Sequence, residues 1–199
     1  DLKGQSAMMR AAILVFDHHP SFSMISFITQ WGITRLADED WTTGQSNGHP
    51  VPSTGMRIVG KVFKEVEATP TVDVALRAAP ILAEALKHSP YNMNNQRYKA
   101  IVYRIMGKKD KAIEIYLRLI SKHRQSYLFH ELSNLLDDEQ QKIALLCKAI
   151  SSQREEKFRQ RMRYTLAGLL FSRDKARAKY ELDKCIAARK QAGYAITWE

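Results

Sequence analysis

The side chains most suited to binding chemistry are four closely spaced cations near the C-terminus, Lys157, Arg159, Arg161 and Arg163. On a helix, residues four apart share a face, which groups Lys157 with Arg161 and Arg159 with Arg163. A guanidinium group can hold a carboxylate or a phosphate through two parallel hydrogen bonds. The alternative is that these cations form salt bridges with acidic residues of the chain itself, namely Glu155, Glu156, Asp174 and Glu181.

Motifs for catalysis or metal binding are weak. Asp17, His18 and His19 are adjacent, but neighbouring helical side chains point about 100° apart and form no single chelating face. The acidic segment 38–40, beside Trp41, is more typical of a helix cap or a solvated loop than of a cation site or a site for a basic partner. No phosphate-binding glycine loop, nucleophile elbow or HExxH motif occurs. We therefore expect no enzymatic activity, no metal and no cofactor.

The net charge of +10 is concentrated toward the C-terminus. Residues 142–199 contain 14 Lys and Arg against 6 Asp and Glu, whereas residues 1–141 contain 17 against 15. A basic C-terminal third can attract an acidic protein or nucleic acid. Solvated lysines and arginines on exposed helices are the other interpretation of the same excess.

The cysteines and the N-terminal segment indicate the cellular compartment in which the protein is expected. Cys147 and Cys185 have no neighbours at metal-ligand spacing and suit a reduced, cytoplasmic environment. The apolar run 7–16 is too short to span a bilayer and lacks a signal-peptide cleavage site, so we expect no membrane association. Because the chain begins with Asp1, we expect it to be part of a longer protein.

Apolar residues after Pro70 recur at helical spacing. Thr71 is expected to cap a helix that runs to about His88, with Pro80 kinking or breaking it. Three helix pairs follow, with apolar residues at i, i+3, i+4 and i+7. Gly107 and the pair 137–138 are expected to form turns between helices. The apolar stripes are Tyr98, Ile101, Val102 and Ile105; Ala112, Ile113, Tyr116, Leu119 and Ile120; Leu128, Leu132, Leu135 and Leu136; Ile143, Leu145, Leu146, Ala149 and Ile150; Phe158, Met162, Leu166, Leu169 and Leu170; and Ala178, Leu182, Cys185 and Ile186.

The N-terminal part is less regular. The stripe from Met56 to Val66 favours a helix over a strand, with Ser53 or Thr54 as its cap. Upstream, the apolar segments 6–16 and 22–36 predict another helix pair that turns at residues 19–20. Residues 37–55 are rich in Gly, Pro, Ser, Thr and Asp and predict a loop that is mobile or binds a partner.

The helix pairs recur at a fixed period. Residues 78–82 superimpose on residues 112–116 at an offset of 34, and later offsets are about 30 and 36. A period of this size indicates stacked helical hairpins, since a single hairpin cannot bury its apolar stripe alone.

This pattern resembles the tetratricopeptide repeat (TPR) over roughly residues 56–191. The matching residues are Ala100, Tyr103, Gly107, Ala112 and Tyr116, with Pro90 closing the preceding unit. Gln96 departs from the tryptophan or leucine that the family prefers. The resemblance implies an all-α fold, a right-handed superhelical array of antiparallel helix hairpins (a TPR-like α-solenoid) with an N-terminal helical extension. We expect residues 1–55 to form the helical pair and loop, and residues 56–199 a repeat domain of about four hairpins.

The resemblance also implies a function. First helices of TPR hairpins line a concave groove, which places Lys157, Arg159, Arg161 and Arg163 on that groove, with Arg97, Tyr98 and Tyr103 extending it from an earlier first helix. We expect a protein–protein interaction scaffold whose basic groove binds an acidic peptide or protein. Ile101 stands where the family's two-carboxylate clamp requires asparagine, so binding of chaperone C-termini is not expected.

Two alternatives remain open. The basic C-terminal half is compatible with a nucleic-acid-associated targeting domain of a larger multidomain protein. The chain is also compatible with a regulatory module that packs on a catalytic domain.

Overall fold

The computed structural model describes residues 2–194 and is built almost entirely of helices. Within this range the ten α-helices are α1 (Leu2–His18), α2 (Met24–Trp31), α3 (Thr54–Ala68), α4 (Val72–His88), α5 (Met93–Ile105), α6 (Lys109–Lys122), α7 (Ser126–Ser133), α8 (Glu139–Ser152), α9 (Glu156–Leu170) and α10 (Lys175–Gln191). Two 3-10 turns, Ile33–Arg35 and Asp38–Trp41, and a β-hairpin of β1 (Gly44–Ser46) and β2 (His49–Val51) lie between α2 and α3. The chain forms two compact units, residues 1–112 and 113–199.

Short polar side chains start several of these helices. The Ser53 hydroxyl accepts a hydrogen bond from the Met56 amide at 3.2 Å, and the Thr71 hydroxyl accepts one from the Val74 amide at 3.3 Å. Each cap satisfies an amide of the first turn that has no partner within the helix. The predicted helices at 56–66 and 71–88 are therefore confirmed together with their caps. The side chains of Asn92, Asp138 and Asp174 cap α5, α8 and α10 in the same way.

The turns that separate the helices also follow the local sequence. Gly107 has a φ of 73°, and the Lys108 amide donates to the Tyr103 carbonyl at 2.8 Å, which ends α5 with a glycine cap. Helix α4 continues through Pro80 and ends at His88, with Ser89 as its C-cap. The break considered at Pro80 is therefore wrong, because the helix spans it.

One apolar core holds the first unit together. Ile13 of α1 and Ile28 of α2 pack in the same buried cluster as Phe63 of α3 and Leu82 of α4. The cluster is continuous across residue 55, where we expected a boundary between an N-terminal helical pair and a repeat domain. That domain boundary stays a prediction.

The segment between α2 and α3, most of which was predicted to be a loop, contains regular secondary structure. Asn47 and Gly48 both have positive φ, 51° and 75°, as in the two-residue turn that matches the twist of a β-hairpin. Trp41 is buried and its ring stacks on the His88 imidazole at 4.5 Å between centroids. A Cβ atom at Gly55 would lie 2.4 Å from the Trp41 ring, so only glycine allows this close packing.

Two hairpins build most of the second unit. Helix α7 pairs with α8, α9 pairs with α10, and α8 packs on α9. Their shared core contains Phe129, Leu146, Met162, Leu166 and Ala178. The predicted all-α architecture of consecutive helix hairpins is confirmed. Among the helices that the structure describes, none has the length and apolar character needed to cross a bilayer.

Candidate functional site

Helix α9 distributes its cations over two environments. Its apolar residues Met162, Leu166 and Leu170 recur at four-residue spacing and lie in the core of the second unit. The cations on the two sides of this stripe differ in their exposure to solvent. Arg163 is buried, whereas Arg161 is exposed.

Arg163 forms a buried ion-pair network between α9 and α10. Its side chain is hydrogen-bonded to the carboxylate of Glu181, and the two residues are only 6% and 5% exposed. Its Nη2 and Nε also donate to the Glu156 carboxylate, at 3.0 Å and 3.2 Å. Burial disfavours the charge of Arg163, but its hydrogen bonds with Glu156 and Glu181 raise the pKa of the guanidinium. This network links the two helices of the last hairpin.

Arg159 ties the start of α9 to the segment before it. Its Nε donates to the Gln153 carbonyl at 2.6 Å, and its Nη1 donates to Glu156. The hydrogen bonds that Glu156 accepts from Arg163 and from Arg159 hold the pKa of its carboxyl below the ordinary value, against the effect of burial. Arg159 and Arg163 thus form the internal salt bridges that the sequence left as an alternative.

Lys157 and Arg161 lie on the outer side of α9. Lys157 Nζ is 2.8 Å from Glu155 Oε2, and this hydrogen bond raises the pKa of the lysine, although both side chains are more than half exposed. Arg161 is exposed, and its charge adds to the effect of burial in lowering the pKa of His130. These two cations present positive charge to the solvent.

The first unit contains the other predicted site residues. Arg97 pairs with Glu67 of α3, and its guanidinium lies 5.8 Å from the Tyr98 ring. The Tyr98 ring stacks on Phe63 with 4.2 Å between centroids and 12° between planes. Both side chains therefore connect α5 to α3.

Two lysine side chains lie near the ring of Tyr103. The ammonium groups of Lys99 and Lys111 each lie 5.9 Å from its ring centroid. Cations at this distance are attracted to the face of an aromatic ring. Tyr103 is half-buried, and its role as a partner contact stays a prediction.

A groove between α9 and α10, with a volume of about 690 Å³, was not predicted. Tyr164 and Phe171 form part of its wall and are 63% and 68% exposed. Lys175 and Lys179 of α10 also line it. One feature of the sequence could have indicated this groove. Tyr164 and Phe171 are two helical turns apart and lie outside the apolar stripe that forms the core.

The acidic segment 38–40 is divided by the fold. Asp40 is buried and accepts a hydrogen bond from the Ser6 hydroxyl, with Arg10 Nη2 at 3.4 Å from its other oxygen. Asp38 and Glu39 are exposed. The segment is a 3-10 turn, and its last carboxylate attaches it to α1.

The histidine-containing segment at the end of α1 has a structural contact as well. Asp17 pairs with Lys61 of α3, and the hydrogen bond from Lys61 lowers the pKa of this exposed carboxyl. Among residues 2–194, no group of three or more His, Cys, Asp or Glu side chains is arranged to hold a metal ion.

Cys185 is a buried free thiol that donates to the Gln160 carbonyl at 3.3 Å, and burial raises its pKa.

The chain has a TPR-like helical repeat fold. The chain resembles a crystal structure of the MamA protein (TM-score 0.53, 13% identity, 98% of this chain and 99% of that chain). It also resembles BtubC from P. vanneervenii (TM-score 0.55, 15% identity, 96% of this chain and 74% of that chain). A third similar structure, from Podosopora anserina, is described as a kinesin light chain with nearly identical TPR-like repeats (TM-score 0.53, 16% identity, 98% and 97% coverage).

A comparison of the sequence with protein-family models identifies the family of this protein. Residues 96–199 match the model of a domain of unknown function, DUF7017, which covers more than half of the chain. The protein therefore belongs to the DUF7017 family. Among curated proteins, none matches the chain significantly. These three structures are each less than 25% identical to the chain, and they support the fold alone.

Proposed function

We propose that this protein is an interaction module that binds an acidic segment of another protein through the outward, cationic side of α9 and α10. Repeat folds of this type use extended surfaces made by successive hairpins to bind their partners. The proposal rests on how charge is distributed over the last hairpin of the second unit.

The observation that carries the proposal is that four of the five carboxylates of the hairpin have partners within it, whereas Asp183 is exposed. Residues 155–191 contain 11 Lys and Arg and 5 Asp and Glu. Glu156 and Glu181 are bound to Arg163, Glu155 pairs with Lys157, and Asp174 caps α10. The remaining exposed charge is dominated by cations: Arg161, Lys175, Lys179, Lys184 and Lys190.

The seven residues selected from the sequence have different roles in this proposal. Lys157 and Arg161 contact the acidic partner. Arg159 and Arg163 hold α9 in position through Glu156 and Glu181, and their direct contact with a partner stays a prediction. The three residues of the first unit, Arg97, Tyr98 and Tyr103, also stay predicted partner contacts.

Charge reversal on the outer side of α9 tests the proposal. The variant combines Lys157→Glu with Arg161→Glu, and the probe is a fluorescein-labelled poly-glutamate peptide followed by anisotropy at low salt. We expect Kd to rise at least about tenfold, because two attractive contacts become repulsive. Added salt should weaken binding to the native protein, since exposed charges are screened.

The matched control combines Lys122→Glu with Lys148→Glu, which makes the same change in net charge at exposed positions of α6 and α8. Circular dichroism checks that both variants keep their helicity. Equal weakening by the control would show that net charge alone attracts the peptide, and the proposed surface would be wrong.

The nucleic-acid alternative is an outcome of the same experiment. A labelled single-stranded oligonucleotide replaces the peptide in a second titration. Nucleic-acid binding depends on counterion release, so its affinity falls steeply with salt concentration. Tighter binding of the oligonucleotide than of the peptide, lost in the α9 variant, would replace the proposed function with nucleic-acid engagement.

A further inference from the structure

The groove between α9 and α10 combines an apolar floor with a cationic rim. We propose that it binds an amphipathic acidic helix of the partner, with apolar side chains in the groove and carboxylates on the lysines of its edge. This inference rests on the proposed function and specifies the partner's chemistry. It concerns a surface made by both helices of the last hairpin.

The floor of the groove is accessible and apolar. Tyr164 of α9 and Phe171 at its C-cap, with Ala178 and Leu182 from α10, contribute to a volume of about 690 Å³. Gly168 lies between the two aromatic residues, and a Cβ atom built on it meets no atom of the described residues within 4 Å. There is therefore space above α9 for side chains of another molecule. Removing apolar surface of this kind from water stabilises a complex.

The rim carries charge of one sign. Lys175 and Lys179 are exposed, lie one helical turn apart and line the groove, and none of its lining residues within the described range 2–194 is acidic. Arg161 lies one turn before Thr165 on the same side of α9, which extends the positive edge toward the surface of the proposed function. A partner with carboxylates beside its apolar residues is complementary to this arrangement.

The chemistry of the groove favours a helix over an extended peptide. Its hydroxyl groups are few, and that of Thr165 already donates to the Arg161 carbonyl at 2.9 Å. An extended peptide would place backbone amides and carbonyls against apolar walls without partners, which is costly. A helix satisfies its own backbone and presents only side chains, as in other helix-in-groove complexes.

The length of the groove sets the spacing of the partner's side chains. Its α9 wall runs from Tyr164 to Phe171. At a rise of 1.5 Å per residue this wall is about 12 Å long, or roughly two helical turns. The partner therefore needs two large apolar residues one turn apart. Acidic residues at the same one-turn spacing match Lys175 and Lys179.

Three labelled synthetic helices separate the apolar and the charged contributions. The parent peptide carries two leucines one turn apart and glutamates on both sides of them. In the second peptide glutamine replaces the leucines, and in the third it replaces the glutamates. Anisotropy titrations with the full chain are expected to show binding at least about tenfold weaker for either altered peptide than for the parent.

Substitutions in the groove test its location. Gly168→Glu fills the open space and adds a repelling charge, and Gly168→Gln fills the same space without the charge. Both replace a helical glycine by a better helix former, so the fold is expected to be retained. The control is Ala144→Glu, at an exposed position of α8. We expect the parent peptide to bind at least about tenfold more weakly to Gly168→Glu, less weakly to Gly168→Gln, and unchanged to the control.

The outcomes distinguish the groove from the proposed function. If the peptide without leucines binds as tightly as the parent and the Gly168 variants bind normally, the groove assignment is wrong while acidic binding stands. If none of the acidic peptides binds at low salt, the proposed function itself is wrong. Sedimentation velocity tests a further occupant of the groove. If the native protein self-associates and Gly168→Glu is monomeric, a second copy of this chain occupies the groove.

Discussion

The acidic turn of the first unit and the basic helix of the second unit are both clusters of like charge, and the fold divides each of them. In the turn, Asp40 is buried against Ser6 and Arg10, while Asp38 and Glu39 face solvent. In the helix, Arg163 is buried against acidic side chains, while Arg161 faces solvent. Members of one cluster thus have structural or surface roles according to where partners lie in three dimensions.

The two clusters differ in how completely their buried members are paired. Arg163 forms a salt bridge with Glu181, and the side chains of both are only 7% exposed. Water therefore cannot solvate either charge if the other is removed. Asp40 is buried, but Arg10 is 63% exposed and lies 3.4 Å away. A desolvated pair depends strongly on both members, whereas a pair with one solvated member depends less on either. This difference predicts an order of effects.

The largest effect is expected at Arg163. Replacing it by alanine leaves Glu181 buried without its countercharge, and removing one partner of a buried pair costs about 3–5 kcal/mol. Arg161→Ala is the matched control, because surface substitutions usually change stability by less than about 0.5 kcal/mol. Urea unfolding followed by circular dichroism measures both.

A second variant separates the unpaired charge from the loss of packing. Arg163→Met combined with Glu181→Leu replaces the pair by apolar side chains and should recover most of the stability lost by Arg163→Ala. Equal destabilisation by Arg163→Ala and Arg161→Ala would remove the distinction between the inner and outer sides of α9.

An intermediate effect is expected at Asp40. Alanine at this position removes the carboxylate that binds the Ser6 hydroxyl and attaches the turn to α1. Leaving a buried polar group without its hydrogen bond costs about 1–3 kcal/mol. Asp38→Ala, at an exposed position of the same turn, should be nearly neutral. If thermal melts show the same loss for both variants, the turn is stabilised by its overall charge and not by the Asp40 contact.

The smallest effect concerns acid sensitivity in the second unit. The folded-state pKa of Glu156 lies below its ordinary value of 4.5, because Arg163 and Arg159 stabilise the carboxylate. The ionised group therefore stabilises the fold above its ordinary pKa, and this contribution is lost as pH falls through the lowered pKa. Glu156→Gln should be less stable than the native protein at neutral pH. The difference should shrink below about pH 4.5.

Urea midpoints measured between neutral and acidic pH check the role of Glu156. The side chain of Glu156 is 41% exposed, so solvent screening reduces its contribution. A stability difference that grew as the pH fell would contradict the assigned direction of the pKa shift.

Much of the local structure was predictable from neighbouring residues. Apolar spacing located the helix pairs, Thr71 and Ser53 located two caps, and Gly107 located a turn. These features depend on contacts within a few residues, where the chain order determines which groups can meet. The β-hairpin was missed although Asn47-Gly48 is a strong local signal for one.

The candidate site was less predictable because its decisive contacts join distant residues. The charge spacing on α9 placed Arg159 with Arg163, and it also admitted internal salt bridges. Glu181 was one of four acidic residues that the sequence offered as partners, but the sequence did not show which of them would bind Arg163 in the folded hairpin. Likewise, Tyr164 and Phe171 became parts of a groove only when α10 packed beside α9.

The sequence by itself determined the helices, their order as hairpins and the excess of positive charge at the C-terminal end, since periodicity, caps and composition are properties of the chain. Tertiary structure decided which charges are neutralised inside and which remain available outside. The physical reason is desolvation: a charge can be buried only where packing brings a countercharge to it, and that placement depends on residues far apart in the chain.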